Sequence, residues 1–158
     1  MPVKPIPAGY HSVTPYLAIR QAADAIEFYA RAFGAKQRMR VAAPGNKVGH
    51  AELEIGDSVV MVADEHPDMD FRSPAHYGGS PVSLHLYVKD VDASFRKAVD
   101  AGATSLRAVA DQFYGDRTGT VRDPFGHVWH LATHKEDLLP QELEKRARAM
   151  FEKTPPKA

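Results

Sequence analysis

Apolar and polar positions along the chain fall into short alternating runs and helical stretches, and these predict its elements. Residues 12–19, rich in Val, Tyr, Leu and Ile, read as a strand. Over residues 21–33 the apolar positions Ala22, Ile26, Tyr29 and Phe33 recur at helical spacing on one face, and Gly34 stands where a helix stop belongs. Three further strands are predicted at 37–42, 48–55 and 58–63, with Gly45-Asn46 and Gly56-Asp57 as turn residues between them.

The order then recurs. Residues 83–88 predict a strand, and Asp90 offers an N-cap to a helix whose apolar positions are Val91, Phe95, Ala98 and Val99, ended by Gly102. Strands follow near 104–109, 118–122 and 127–133, the last two joined by an Asp123-Pro-Phe-Gly126 turn. Gly34-Ala35 aligns with Gly102-Ala103 and Asp24-Ala25 with Asp92-Ala93 at one common offset. Leu17 with Leu86, Gly49 with Gly119 and Gly56 with Gly126 align at slightly longer offsets, as loop insertions produce.

The chain is thus read as an N-terminal arm (1–11) broken by Pro2, Pro5 and Pro7, a first βαβββ module (12–64), a linker (65–81) and a second βαβββ module (82–138). A C-terminal helix (139–153) and a disordered tail (154–158) complete it. The helix carries Leu143, Ala147, Met150 and Phe151 on one face, a stripe suited to its own body or to a partner subunit. The linker is long for a loop inside a domain and reads as part tether, part flap, with Met69, Phe71 and Tyr77 able to close over an apolar ligand.

Composition narrows the chemistry more than the fold. At 158 residues, 44% of them hydrophobic, the chain can bury a core without staples. Its 20 basic and 20 acidic residues cancel, leaving no cationic surplus for phosphate, so nucleic acid is not an expected partner. The absence of cysteine excludes disulfides, thiolate zinc sites and cysteine nucleophiles. No stretch approaches the roughly 18 apolar residues of a membrane span. The first residues lack an apolar signal core, so a cytoplasmic protein without membrane contact is expected. Neither a Gly-rich phosphate loop nor a Gly-x-Ser-x-Gly elbow occurs.

Taken together, Tyr16-Leu-Ala-Ile19, Ala25-Ile-Glu-Phe-Tyr29, Ala32-Phe-Gly-Ala35, His50-Ala-Glu-Leu-Glu54 and Asp123-Pro-Phe-Gly-His-Val-Trp129 resemble the vicinal oxygen chelate superfamily. That superfamily holds glyoxalase I, extradiol dioxygenases and bleomycin-resistance proteins, and the resemblance spans residues 12–138. Tyr114-Gly-Asp-Arg117 and Ala132-Thr-His134 resemble its PhnB-like branch. The resemblance implies an α+β fold in which two βαβββ modules form curved mixed sheets around a central cleft, with helices on the convex faces. Strand alternation then directs Ser83, His85, Tyr87, His130 and Ala132 into the cleft and Leu84, Leu86, Val88, Trp129 and Leu131 towards the helices.

Metal-dependent members of the superfamily carry one ligand on the first and one on the last strand of each module. The resemblance places those positions at Thr14, Ser83, His130 and Val60, or Met61 if the alignment slips by one. Only His130 is a conventional ligand for a divalent ion, so no metal cofactor is favoured. The alternative is a relocated site in which His130, His85, Glu52 and Glu54 hold Zn, Fe, Ni or Mn. Of the other histidines, His11, His66 and His76 fall in predicted loops, His127 reads as structural and His134 as a cap for the segment after the last strand. Asp116-Arg117 reads as a surface ion pair fixing its loop, with contact to a ligand at the cleft mouth as the alternative.

Two functions stay open. In one, the cleft captures a small, partly aromatic molecule without chemistry, using Thr14, Tyr16, Val60, Met61, Ser83, His85, Tyr87, Phe113, Tyr114 and His130 as its lining. In the other, the protein is a lyase or dioxygenase-type enzyme whose catalytic residues are His130 and His85, as metal ligands or as general base. The expected partners are the small molecule and a second copy of the chain in a homodimer, as superfamily members commonly form.

Overall fold

The computed structural model describes residues 2–154; Met1 and residues 155–158, most of the expected tail, lie outside the described residues. The first module runs β1 (Tyr16–Ile19), α1 (Ala22–Phe33), β2 (Lys36–Ala43), β3 (Lys47–Ile55) and β4 (Ser58–Asp64). The connecting segment contains a 3-10 turn at Pro67–Met69 and a short helix, α2 (Pro74–Tyr77). The second module repeats the order as β5 (Ser83–Tyr87), α3 (Val91–Ala101), β6 (Thr104–Asp111), β7 (Asp116–Arg122) and β8 (Val128–His134), and α4 (Pro140–Lys153) follows.

Each module builds one four-stranded mixed sheet, in the orders β1-β4-β3-β2 and β5-β8-β7-β6. In both, the first strand lies parallel to the last and the remaining pairs are antiparallel, which is what a helical crossover followed by two hairpins produces. The expected α+β architecture of two βαβββ modules with a C-terminal helix is therefore the observed one.

The first strand is shorter than its sequence suggests. Its ladder opens with the pair Tyr16 and Met61, so residues 12–15 are irregular rather than extended into the sheet. Pro15 has no N–H to carry the pairing further back. Its carbonyl alone takes part, accepting from Met61 N at 2.9 Å.

Helix starts are handled differently in the two modules. Asp90 caps α3 as expected, its carboxylate accepting from Ala93 N at 3.0 Å. At the start of α1, Gln21 sits at φ 63° and offers no side-chain cap. The buried Asp64, at the end of β4, takes the role instead, accepting from Ala22 N at 3.1 Å and Val48 N at 2.7 Å. Both α1 and α3 stop at the expected glycines, Gly34 with φ 68° and Gly102 with φ 122°.

The helix-covered faces of the two sheets merge into one core. Leu17, Ile19, Leu53, Val60 and Val62 from the first module join Val91, Ala98, Val121, Trp129 and Leu131 from the second. The helices α1 and α3 pack against each other. An aromatic cluster joins α1 to β8, with the Phe33 and Trp129 ring centroids 4.6 Å apart and Tyr29 and Trp129 5.4 Å apart. Inside this cluster the buried Asp123 accepts from Tyr29 Oη at 2.6 Å, Trp129 Nε1 at 2.9 Å, Phe125 N at 2.9 Å and His127 N at 3.0 Å.

The helix α4 rests on the body through Arg146, which pairs with Glu136 at 2.8 Å and Glu142 at 2.9 Å and donates to the Phe113 carbonyl at 3.5 Å. Its apolar side chains Leu143, Met150 and Phe151 stay exposed. Among the described residues, no helix is long and apolar enough to cross a membrane.

Candidate functional site

With one face of each sheet covered by helices, the side chains of the opposite, open faces carry the available chemistry. Strand alternation and the observed register place Ser83, His85 and Tyr87 of β5 on the open face of the second sheet. Directly beside them stand His130 of β8 and Thr120 of β7, since His85 pairs with His130 and His130 with Thr120.

The His130 imidazole is held at both nitrogens. Nδ1 lies 2.9 Å from Thr120 Oγ1 and Nε2 lies 3.0 Å from Ser83 Oγ. Hydroxyls both donate and accept, so a neutral ring satisfies both contacts in either tautomer. Burial first, and the neighbouring His85 and Arg107 charges next, lower the His130 pKa below the usual histidine value. The His85 ring lies 6.0 Å from that of His130 and 4.9 Å from that of Tyr87, so the two candidate histidines are neighbours.

At the far end of the same face a second network begins. The Tyr87 hydroxyl donates to Asp116 Oδ2 at 2.9 Å, and the other oxygen of this buried carboxylate lies 2.6 Å from His134 Nδ1. His134 Nε2 in turn faces Asp137 Oδ1 at 2.8 Å. Carboxylate oxygens only accept, so meeting both of them requires both ring nitrogens to carry protons. The bonds to Asp116 and then Asp137 accordingly raise the His134 pKa. The bond to Asp116, followed by burial, raises that of Tyr87.

The open face of the first sheet is different in character. Tyr16 pairs with Met61 and Met61 with Glu52, so these three share the face. His50 Nδ1 lies 2.9 Å from the Tyr16 hydroxyl and its Nε2 lies 3.6 Å from Glu52 Oε1. Superposing the two ladders matches Tyr16 with His85 and Met61 with His130. Of the two alignments considered for the fourth strand, the one-residue slip is therefore the structural one. Val60 turns to the helix side, where it is 5% exposed in the shared core.

Other candidate residues are distributed more widely. Thr14 is half-buried ahead of β1, in a small cavity of about 140 Å³ that also touches Val60 and His85. Phe113 and Tyr114 occupy the connection between β6 and β7, their rings packed edge to face 5.3 Å apart. Glu52 and Glu54 stand on β3, with Glu52 half-buried beside His50 and Glu54 exposed. Among the described residues no three His, Asp or Glu side chains converge as a metal site requires. The side chains at the family's ligand positions, Thr14, Ser83, Met61 and a His130 whose two nitrogens already meet hydroxyls, do not make a donor set for a hard divalent ion either.

One reading of a residue pair needs correction. Asp116 and Arg117 do not pair with each other, because adjacent strand residues point to opposite faces. Arg117 turns to the helix side and binds Asp92 at 2.8 Å and Asp111 at 3.1 Å, while Asp116 serves Tyr87 and His134. His134 does tie down the segment beyond β8 through Asp137. His127 Nε2 lies 3.1 Å from the Ala18 carbonyl, a contact that ties the second module to the first. Sequence reasoning missed Thr120 and Asp137, and tied Asp116 to Arg117 instead of to Tyr87 and His134. The alternation of β7, which puts Asp116, Thr118 and Thr120 on the His130 side, was the available signal.

Comparison with known proteins agrees with this architecture. A protein of Mycobacterium tuberculosis is 43% identical over 136 residues, covering 84% of this chain and 80% of its own length. The crystal structure of a gene product of Arabidopsis thaliana superposes with a TM-score of 0.64 at 32% identity, covering 78% of this chain and 98% of that one. TioX from Micromonospora sp. ML1 superposes with a TM-score of 0.62 at 27% identity, covering 82% of this chain and all of the other. A family model matches residues 10–131, the two modules with their paired sheets, and by that match the chain belongs to the Glyoxalase/Bleomycin resistance protein/Dioxygenase superfamily.

Proposed function

We propose that the protein binds a small, partly aromatic organic molecule on its open sheet faces without using a metal, as a PhnB-like member of the superfamily. The observation that carries this reading is the state of His130. Both of its nitrogens are engaged by hydroxyls and its counterpart in the first module is Met61. The face around it offers neutral hydrogen-bonding groups and the rings of His85 and Tyr87, a lining suited to orienting an aromatic ligand.

A second copy of the chain would complete the site. Tyr87 is 60% exposed and Tyr16 46% exposed in a single chain, whereas ligand pockets bury about 70–90% of a small ligand. The uncovered stripe of Leu143, Met150 and Phe151 on α4 gives the second copy a further surface to cover. A homodimer in which open faces of two chains enclose the ligand satisfies both requirements.

The test is a thermal-shift screen of small aromatic compounds, run with and without a chelator and followed by light scattering. The expected result is a dimer stabilised by a subset of compounds, equally well with chelator present, with the effect lost in His85→Ala. Near-stoichiometric metal in the purified protein, lost in His130→Ala along with a chelator-sensitive turnover, would overturn this reading in favour of the enzyme.

A further inference from the structure

A second, separate cavity of about 340 Å³ lies at the seam where the edge strands β1 and β5 approach each other, beneath the segment that joins the modules. We infer that this seam cavity is a binding site for a one- or two-ring aromatic molecule carrying a hydroxyl or N–H donor. It shares Tyr16 with the open face of the first sheet and is otherwise lined by different residues from the site proposed above.

The walls supply the aromatic preference. Phe71, from the connecting segment, packs on Tyr16 with ring centroids 4.9 Å apart, and Tyr77 of α2 with Val82 and Leu84 continue the apolar lining. The volume is at the low end of small-molecule pockets, about 300–1,000 Å³, which sets the ligand at one or two rings.

The polar preference comes from His127, which lines the same cavity and is itself 8% exposed. Its Nε2 faces the Ala18 carbonyl at 3.1 Å, and a carbonyl can only accept. In a neutral ring the proton is therefore on Nε2, which leaves Nδ1 as an acceptor. A ligand hydroxyl or ring N–H is the complementary group, while a ligand that only accepts has no partner there.

The roof is built to hold this shape at one end and admit a ligand at the other. Glu65 grips Ser73 through its backbone N–H at 2.8 Å and its hydroxyl at 2.6 Å, and Arg20 binds the same carboxylate at 2.9 Å. Next to it, Pro74 sits so close to Gly126 that a Cβ there would lie 2.8 Å from Pro74 Cβ. Beyond this anchor, Tyr77 is 62% exposed, and Gly78 and Gly79 follow at φ 74° and 147°, with the Gly79 N–H donating to the Pro74 carbonyl at 2.9 Å.

Calorimetric titration of the full chain with 2-naphthol, and with 2-methoxynaphthalene as the analogue without a donor, tests the site. The expected result is saturation at one 2-naphthol per chain, with the methoxy analogue weaker. Tyr77→Ala and Phe71→Ala should each weaken 2-naphthol about tenfold through lost aromatic contact, and Val82→Trp should block it. Tyr77 lies on an exposed four-residue helix, so Tyr77→Ala keeps the test valid if Phe71→Ala fails to fold. Absence of saturable binding overturns the inference. So does binding that survives Tyr77→Ala and Val82→Trp but is lost in His85→Ala, an outcome that would move the naphthol to the open sheet face and favour that site alone.

Discussion

Tyr29, on the helix of the first module, donates its hydroxyl at 2.6 Å to Asp123, in the last turn of the second module and 94 residues further along the chain. The phenol pKa is raised well above its usual value, by burial first and by the Asp123 charge next, so it stays a donor at any physiological pH. Tyr29→Phe should destabilise the protein by about 1.5–3 kcal/mol, the range for a buried hydrogen bond to a charged acceptor. Asp123→Ala should cost about 3 kcal/mol or more, because Tyr29, Trp129 and two backbone N–H groups lose their acceptor together. Denaturant melts of the two variants decide this, and equal, small losses would show that the contact is dispensable.

His134 gives the stability a pH dependence of defined sign. Its folded-state pKa is raised by Asp116 and Asp137, so its contribution is fully present below the usual histidine value of about 6.5. The contribution fades as pH rises through the raised folded-state value. Thermal melts from pH 6 to pH 9 should show a decline that flattens in His134→Gln; an unchanged slope in the variant would rule out His134 as its source.

His130 acts in the opposite direction. Its pKa is lowered in the folded state, so the folded protein prefers the neutral ring and loses stability as pH falls below about 6.5. An NMR titration should find the His130 midpoint below that of free histidine, moving up in His85→Ala as the neighbouring charge is removed. A midpoint at or above the free value would contradict the part-buried placement of His130 beside His85 and Arg107.

Gly119, in the middle of β7, faces the helix side, where an added Cβ would lie 2.7 Å from Phe95 Cδ2 and 2.8 Å from Val109 Cγ2. Gly119→Ala should cost about 1–3 kcal/mol through overpacking. Phe95→Leu in the same background should recover part of the loss in urea melts, which a purely backbone effect would not allow.

Much of this was legible from local pattern. The span of α4, the Asp90 cap and the glycine stops of α1 and α3 all depend on residues close in sequence, where spacing and propensity speak directly. The start of β1 was misplaced because pairing, not β-propensity, ends a strand, and the partner strand lies forty-odd residues away. The open-face assignment of Ser83, His85, Tyr87 and His130 followed from alternation alone. Their partners Thr120 and Asp116 were hidden because a hydrogen bond across strands depends on register, and Asp116 was paired by proximity with Arg117 although the two point to opposite faces.

The shared core has a consequence for cooperativity. Phe28, Tyr29 and Phe33 of the first module complete their packing on Phe125 and Trp129 of the second, so cutting the chain within residues 65–81 would leave each half with an uncovered aromatic face. Duplication here repeated a plan without keeping two autonomous units. The halves should therefore melt as one transition, and co-expressed fragments should regain structure only together.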